Sequence, residues 1–288
     1  MAEQVWTLGS LLDWTAKHLA QKECESPRID AEVLLAHAVG CKRIDLYGMR
    51  HGEEASADIR KRYRELVSRR LDGAPVAYLV GKKEFFGLEF KVSPAVLIPR
   101  PDTEVLITAC LDLGKKHPQP RIVDVGTGSG CIPIALAKHL PKAQVTTIDM
   151  SPEATAIGKE NAGKHSVFDR VRFLQGDVLE PVASETFEFV VSNPPYIAHE
   201  EWAALPAGVR DYEPRLALDG GPGGFDVFTR LIEQARERLV SGGWLVIEIG
   251  SPQEKQARAK IEAIVDYELF PTILDGSGHP RVLKARRR

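Results

Sequence analysis

Asn193-Pro194-Pro195-Tyr196 is the segment of this 288-residue chain whose residue types most constrain a reaction. A planar NH2 group is a poor nucleophile because its lone pair is delocalised into a neighbouring π system. For an amide, breaking that conjugation outright costs about 18–20 kcal/mol, the scale of the peptide rotation barrier. A site that accepts both N–H hydrogens lets the nitrogen pyramidalise toward an activated carbon. The Asn193 side-chain oxygen is one such acceptor, and the Pro194 carbonyl is a second. Pro194 and Pro195 have no backbone N–H, so they add no competing donor, and their φ is fixed. Tyr196 offers an aromatic face to a flat amide. In-line positioning in a dry pocket supplies up to about 7–11 kcal/mol more. Asn and Pro are also common turn formers. Two adjacent prolines directly after the apolar run 187–191, followed by Tyr, disfavour an ordinary loop. No general base stands in the motif.

A second cluster is Asp124-Val125-Gly126-Thr127-Gly128-Ser129-Gly130-Cys131, between an expected strand and an expected helix. Ligands bind at the carboxyl ends of strands in open α/β sheets. Glycines there permit positive φ and close approach of backbone to ligand. The spacing is Gly-x-Gly-x-Gly. The last glycine of a dinucleotide fingerprint would fall on Cys131, which disfavours a pyrophosphate. Asp149 ends the next strand, 23 residues after Gly126. An acid there can accept both hydrogen bonds of a ribose diol; a turn or helix-cap role is the alternative. A nucleoside without phosphates, S-adenosylmethionine, suits a loop that lacks lysine. In Gln175-Gly176-Asp177-Val178, Asp177 can accept adenine amino hydrogens and Val178 can pack on the ring, or the segment is a surface turn. The cofactor candidates are therefore Gly126, Thr127, Gly128, Ser129, Gly130, Asp149, Asp177, Val178 and Asn193. The substrate candidates are Asn193, Pro194, Pro195 and Tyr196, with Asn193, Pro194 and Tyr196 as the catalytic ones.

The elements that must position these residues follow from periodicity. Leu8, Leu11, Leu12, Trp14 and Leu19 recur at helical spacing, as do Ala31, Leu34, Leu35 and Ala38 after a Ser26-Pro27 start. Residues 57–71 predict an exposed helix rich in Arg and Glu. Val76, Tyr78 and Val80 alternate, and so do Leu88, Phe90 and Val92, with Gly81 and Gly87 between. That pattern predicts a β-hairpin over 75–98. Asp102 or Thr103 can cap a helix running to about residue 113. From 121 onward, strands at 122–125, 145–149, 171–174, 187–191 and 244–249 alternate with helices at 132–140, from Ser151-Pro152, and at 224–239. The alternation implies a mostly parallel, Rossmann-like sheet covered on both faces. Asp275-Gly276-Ser277-Gly278 signals a closing hairpin and an antiparallel strand at the end of the sheet. The expected division is 1–72 for a helical domain, 73–100 for a hairpin linker and 101–288 for the sheet domain.

Composition sets the outer bounds. Hydrophobic residues are 43% and charged residues 27%, with a net charge of −2. That charge argues against a protein whose main task is wrapping nucleic acid. The basic end, Lys284-Ala285-Arg286-Arg287-Arg288, reads as a solvated terminus. Met1-Ala2-Glu3-Gln4 does not resemble a signal peptide, and no apolar run reaches bilayer length. Cys24, Cys41, Cys110 and Cys131 show neither Cys-x-x-Cys nor zinc spacing, so free, mostly buried thiols in the cytoplasm and no metal are expected.

The Asp124–Gly130 loop with Asn193–Tyr196 resembles class I S-adenosylmethionine-dependent methyltransferases acting on planar nitrogen. These include N6-adenine DNA methyltransferases and glutamine N5-methyltransferases. Ser26-Pro27-Arg28-Ile29-Asp30-Ala31-Glu32, Glu84-Phe85-Phe86-Gly87, Leu97-Ile98-Pro99-Arg100-Pro101-Asp102-Thr103-Glu104 and Val209-Arg210-Asp211-Tyr212-Glu213-Pro214 narrow the match. Together they resemble the release factor glutamine methyltransferase (PrmC/HemK) family over nearly the whole chain. The resemblance implies as substrate the glutamine of the Gly-Gly-Gln motif in bacterial class I peptide chain release factors. It also implies a helical N-terminal docking domain. A monomer without direct nucleic-acid or membrane contact is expected. Where some members carry a large aromatic, this chain has Val178. Arg100, Glu104 and Phe86 belong to the family signature and suit a structural role equally well. Two other readings are an N6-adenine DNA methyltransferase, which needs a basic groove for a flipped base, and a non-catalytic cofactor-binding protein of the translation machinery.

Overall fold

The computed structural model describes residues 5–22, 24–48 and 50–288; Met1-Ala2-Glu3-Gln4 lie outside them. In chain order the helices are α1 (Leu8–Gln21), α2 (Pro27–Val39), α3 (Ala57–Leu71), α4 (Val76–Val80), α5 (Glu104–Gly114), α6 (Cys131–His139), α7 (Pro152–Lys164), α8 (Ala207–Arg210), α9 (Asp226–Arg238) and α10 (Glu254–Glu262). The strands are β1 (Lys82–Phe85), β2 (Leu88–Lys91), β3 (Arg121–Val125), β4 (Gln144–Asp149), β5 (Val171–Gln175), β6 (Phe187–Ser192), β7 (Leu239–Glu248), β8 (Tyr267–Leu269), β9 (Ile273–Leu274) and β10 (Pro280–Arg287). They form two compact units. One holds the described residues up to Gly81 together with Ala207–Tyr212; the other holds Lys82–Pro206 and Glu213–Arg288. This partition departs from a sequential division at 73–81, 82–100 and 207–212.

In the helical unit, Leu8, Leu12 and Leu19 pack with Ala31, Leu34, Leu35, Tyr63 and Val67. Tyr63 donates to the Ala31 carbonyl at 3.1 Å, so its hydroxyl is satisfied inside the core. Trp14 falls off that stripe because position 14 lies on the opposite side of the helix from 8, 12 and 19. It is 52% exposed and stacks on His18. Tyr212 returns to this unit and donates to the Asp72 carbonyl at 2.9 Å.

Val76, Tyr78 and Val80 form a helical turn, not the expected strand. The Pro75 carbonyl accepts the N–H of Tyr78 and of Leu79, and Gly81 ends the turn at φ +73°. Five residues with valine at i and i+4 satisfy either period. The hairpin begins later, with Phe85 opposite Leu88. Phe86 and Gly87 both have positive φ, as a two-residue type I′ turn requires. Glu104 accepts the Phe86 N–H at 3.0 Å, and the Phe86 ring packs edge-on to His139. Both signature residues therefore hold this turn in place.

The larger unit is a sheet ordered β5-β4-β3-β6-β7-β10-β8, with β9 beside β10. The ladders from β5 to β7 are parallel, and β10 runs antiparallel to β7. The expected antiparallel strand is present but lies inside the sheet, with β8 at the edge. The basic tail belongs to it rather than to a solvated terminus. Ala285 is fully buried, Arg286 lies over the Trp244 ring, and Arg287 donates to the Leu239 carbonyl. Long basic stems can cover apolar surface while their heads stay polar. Ile122 and Val145 face the core that includes residues of α5, α6 and α7, whereas Val123, Val125 and Ile148 face that of α9 and α10. Helix α10 had no counterpart among the expected elements.

Register decides what meets at the carboxyl edge. Val125 pairs with both Ile148 and Ser192, and Ser192 pairs with Ile247. The next residues, Asp149, Gly126, Asn193 and Glu248, therefore emerge in one row across four adjacent strands. Of the free cysteines, only Cys110 is buried, while Cys24, Cys41 and Cys131 are half-buried, fewer buried thiols than expected. Among the described residues no helix is long and apolar enough to cross a membrane.

The turn after β3 leaves little room. A Cβ at Gly130 would lie 2.9 Å from Ile134 Cδ1 and 3.2 Å from Gly158 Cα, at φ +80°. Gly128 shares positive φ, at +54°, but a Cβ there would meet nothing within 4 Å. Gly130→Ala is expected to cost about 1–3 kcal/mol and to lower Tm more than Gly128→Ala. Thermal unfolding by circular dichroism measures both, and equal losses would contradict this packing account.

Candidate active site

A cleft of about 780 Å³ opens at that carboxyl edge. Val125, Ile148, Ala154 and Val178 give it an apolar floor. Asp149, Glu153, Asp177, Asp219 and Asp226 outnumber Arg215 and Arg230 among its charged lining residues. A surplus of carboxylates attracts a cation and repels a phosphate.

Asp149 ties the glycine loop to the next strand. Its Oδ2 accepts the Gly128 N–H at 2.8 Å and its Oδ1 accepts the Ser151 N–H at 2.9 Å. An ionised carboxylate has about four acceptor positions, so each oxygen can still take a hydroxyl. Burial pushes this acid upward against those backbone donors. The cap of α7 is Ser151, which accepts the Ala154 N–H at 3.0 Å.

Gly126 and Gly128 line the cleft, whereas Thr127, Ser129 and Gly130 do not. Thr127 bonds to the Thr147 hydroxyl, which donates to Asp124 Oδ2 at 3.0 Å. The Ser129 carbonyl accepts from Asn161 at 2.8 Å, and Gly130 caps α6. These three hold the loop from behind. Asp124 was not singled out in the sequence as a site residue. It is completely buried, its Oδ1 has no partner among the described residues, and burial pushes it up to about 7.

Asp177 and Val178 both reach the cleft. Asp177 is held by an ion pair with Arg230. Val178 is buried at φ +46°, an outlier for a β-branched residue. The turn is fastened on either side, by Gly176 N–H to the Asp149 carbonyl at 3.0 Å and Leu179 N–H to Gln234 at 2.9 Å.

Of the tetrad, Asn193 and Pro195 line the cleft; Pro194 and Tyr196 do not. Burial pushes the Tyr196 hydroxyl up to about 12. The Tyr196 carbonyl accepts from Gln253 at 2.8 Å, and Ile197 bonds to both Leu218 and Gly220 backbones, which anchors the end of the segment. Asn193 Nδ2 donates to the Thr103 hydroxyl at 3.3 Å. Thr103 makes no side-chain cap bond to α5. Glu248 Oε2 is buried without a hydrogen-bond partner among the described residues. Glu248 is 1% exposed, and burial pushes its carboxyl up to about 7, opposed by Thr103 and by the Arg281 and Arg100 charges. Sequence reasoning missed Glu248. Its signal was a lone acid closing an otherwise apolar strand at the ligand-binding end of a parallel sheet. Arg100 pairs with Glu213, which also accepts the Ile98 N–H at 3.3 Å. The Pro-Arg-Pro segment is thereby fixed beside the tetrad's supports. Among the described residues no group of three or more His, Cys, Asp or Glu is arranged to hold a metal.

Comparison with known proteins bears on this arrangement. Residues 10–81 match the family described as PrmC N-terminal domain, and residues 102–207 match the one described as Methyltransferase small domain. A release factor glutamine methyltransferase of Rhodopirellula baltica is 43% identical, covering 98% of this chain and 97% of its own. Its counterpart in Moorella thermoacetica is 42% identical, covering 98% and 99%. A solved methyltransferase from Pyrococcus furiosus superposes with a TM-score of 0.51 at 18% identity, over 76% of this chain and 96% of that one, and speaks to the fold alone. The full-length identity to the first two, on a class I methyltransferase fold, means that this chain belongs to the release factor glutamine methyltransferase family.

Proposed function

We propose that this enzyme transfers the methyl group of S-adenosylmethionine to the side-chain amide nitrogen of a glutamine, that of the Gly-Gly-Gln motif in bacterial class I release factors. The observation that carries the reading is the alignment of Asp149, Gly126 and Asn193 at one sheet edge. It brings Gly126 and Gly128 of the loop and Asn193 and Pro195 of the tetrad to a single cleft.

When bound, the cofactor supplies a methyl already activated on a sulfonium cation. Gly126 and Gly128 let the backbone approach it, Asp149 accepts from the ribose diol, Val178 packs on the adenine and Asp177 sits near the adenine amino group. Thr127, Ser129 and Gly130 act by fixing the loop. The acidic lining favours a cationic cofactor over a phosphate-bearing one. Asn193 Oδ1 and the Pro194 carbonyl accept the two amide N–H groups, which frees the nitrogen lone pair for attack. Pro195 and Tyr196 hold that pair of acceptors in place. We read the helical unit as a docking domain for the release factor, the enzyme as a monomer, and the cytoplasm as its compartment.

Incubation of the enzyme and cofactor with a purified release factor, then mass spectrometry, is expected to place a gain of one CH2 on that glutamine. Duplex DNA should remain unmodified; methylated adenine instead would replace the reading. Asn193→Ala is expected to lower kcat by about 100-fold or more, the scale of a lost preorganised polar group, with cofactor affinity nearly unchanged. Parallel loss of both would contradict the role assigned to it. Asp149→Ala is expected to weaken cofactor binding by about tenfold or more, the worth of one to two hydrogen bonds to a charged group. Calorimetry that finds wild-type affinity would remove the ribose role.

A further inference from the structure

Asn161 on α7 is 1% exposed and does not line the cleft. Its Oδ1 accepts the Lys91 N–H at 2.8 Å. Its Nδ2 donates to the Lys91 carbonyl at 3.0 Å and to the Ser129 carbonyl at 2.8 Å. One donor and two acceptors surround the carboxamide, so a single orientation satisfies all three. Both of its hydrogens are used, one on the hairpin and one on the glycine loop.

Ser129 stands between two glycines of positive φ, Gly128 and Gly130. Glycine leaves φ broadly free, so hydrogen bonds have to set the shape of this loop. The Gly130 N–H donates to the Thr127 carbonyl at 2.9 Å, inside the loop. The Ser129 carbonyl is held from outside, by Asn161. Residue 158, one turn earlier on α7, is glycine, and a Cβ there would lie 2.9 Å from the Phe173 ring and 3.4 Å from Thr127. That bare turn brings α7 close enough for Asn161 to reach the loop. Gly128, next to Ser129, lines the cleft, so movement of Ser129 displaces the cleft wall.

The other two bonds end on the hairpin. Residues that flank a two-residue turn exchange hydrogen bonds. Phe85 and Leu88 do so here, which makes Lys82 and Lys91 a non-hydrogen-bonded pair. The N–H and C=O of Lys91 therefore point away from β1, and Asn161 meets both as a neighbouring strand would. The same helix covers the rest of that edge. Lys164 pairs with Glu89 at 2.8 Å, and His165 Nε2 bonds to the Glu89 carbonyl at 2.9 Å. Side chains of α7 thus close an open strand edge, and one of them continues into the glycine loop.

We propose that Asn161 is a positioning residue that clasps the glycine loop to the β1–β2 hairpin, so that affinity for S-adenosylmethionine depends on the outer edge of β2. The proposal rests on the cofactor inferred above and deepens it. Without the clasp, one buried loop carbonyl and two backbone groups of the hairpin lose their partners. The loop then relaxes away from the form that receives the nucleoside. The acceptors at Asn193 and Pro194 are untouched, so turnover at saturating cofactor is retained. Linkage makes the effect reciprocal: bound cofactor holds the loop, and the loop, through Asn161, holds Lys91.

The test measures the calorimetric Kd for S-adenosylmethionine, and kcat at saturating cofactor, in wild type, Asn161→Leu, Lys91→Pro and Lys91→Ala. Leucine keeps the branching of asparagine and makes none of the three bonds. Asn161→Leu is expected to raise Kd about tenfold or more, with kcat within about twofold. Proline at 91 removes an outward N–H that the β1 ladder does not use. Its Kd should rise about threefold or more, the low end of one hydrogen bond. Lys91→Ala keeps the N–H and should bind as wild type does. In wild type, saturating cofactor should slow hydrogen exchange of the Lys91 amide about threefold or more. That response should vanish in Asn161→Leu, whereas a merely structural asparagine would leave the wild-type amide insensitive to cofactor. Wild-type affinity in Asn161→Leu or Lys91→Pro, equal losses in Lys91→Pro and Lys91→Ala, or a Lys91 amide indifferent to cofactor overturns the clasp. If Asn161→Leu fails to fold, Lys91→Pro and the wild-type exchange decide. A wild-type protein that binds no S-adenosylmethionine sinks the cofactor reading and the clasp with it. Binding by wild type with unaltered variants sinks the clasp alone.

Discussion

The ladder register across β4, β3, β6 and β7 is the constraint on which the site depends. Pairing of Val125 with Ile148 and Ser192, and of Ser192 with Ile247, forces the following residues into one row. A slip of one residue would exchange the two faces of a strand. Here it would send Val123 and Val125 out of one apolar core and Ile122 out of the other. Burial of both faces thus fixes the register, and the register delivers Asp149, Gly126, Asn193 and Glu248 to a common edge. Core packing and site geometry are consequences of the same hydrogen-bond ladder.

That edge carries several acids in a medium that disfavours their charge. Asp124 and Glu248 are completely or almost completely buried, and Asp149 lies between strand and loop. Burial of a charge is costly without partners, and the partners used here are short hydroxyl side chains and backbone N–H groups. Thr147 serves Asp124 and Gly128 with Ser151 serves Asp149, whereas Glu248 Oε2 has no hydrogen-bond partner among the described residues. Thr147 also bonds to Thr127 of the loop. Asp124 and the glycine loop therefore share one hydrogen-bond network.

How legible each residue was follows from how local its determinants are. Gly126, Gly128, Asp149 and Asn193 each end an apolar strand or open the turn behind it, a pattern contained in a few neighbouring residues. The placement of Thr127, Ser129 and Gly130 behind the loop was not legible, because the side-chain direction in a tight turn depends on what packs beneath it. Val76, Tyr78 and Val80 misled because five residues fit two periods, and the deciding bonds came from Pro75. The basic tail misled for another reason: the composition of residues 284–288 suits a frayed end, and only the partner strands β7 and β8 make it part of a sheet. Thr103 and Asn193 could not have been paired from sequence. Thr103 sits 90 positions from Asn193, and its sequence context suggests a helix cap.

An NH2 group on a planar carbon poses the same problem in glutamine as in adenine, so under the proposed function the tetrad specifies a type of nitrogen and leaves the molecule that bears it open. Selection has to come from what surrounds the acceptors. An adenine arrives with a phosphate backbone whose charge must be neutralised by Lys and Arg. The cleft instead carries five carboxylates against two guanidinium groups, both already paired, Arg230 with Asp177 and Arg215 with Asp219. Bringing phosphates to that rim would add repulsion, whereas a neutral peptide side chain crosses it without that cost. Under the proposed function, the same acidic lining that suits a sulfonium cofactor thus also biases the choice of acceptor toward a protein.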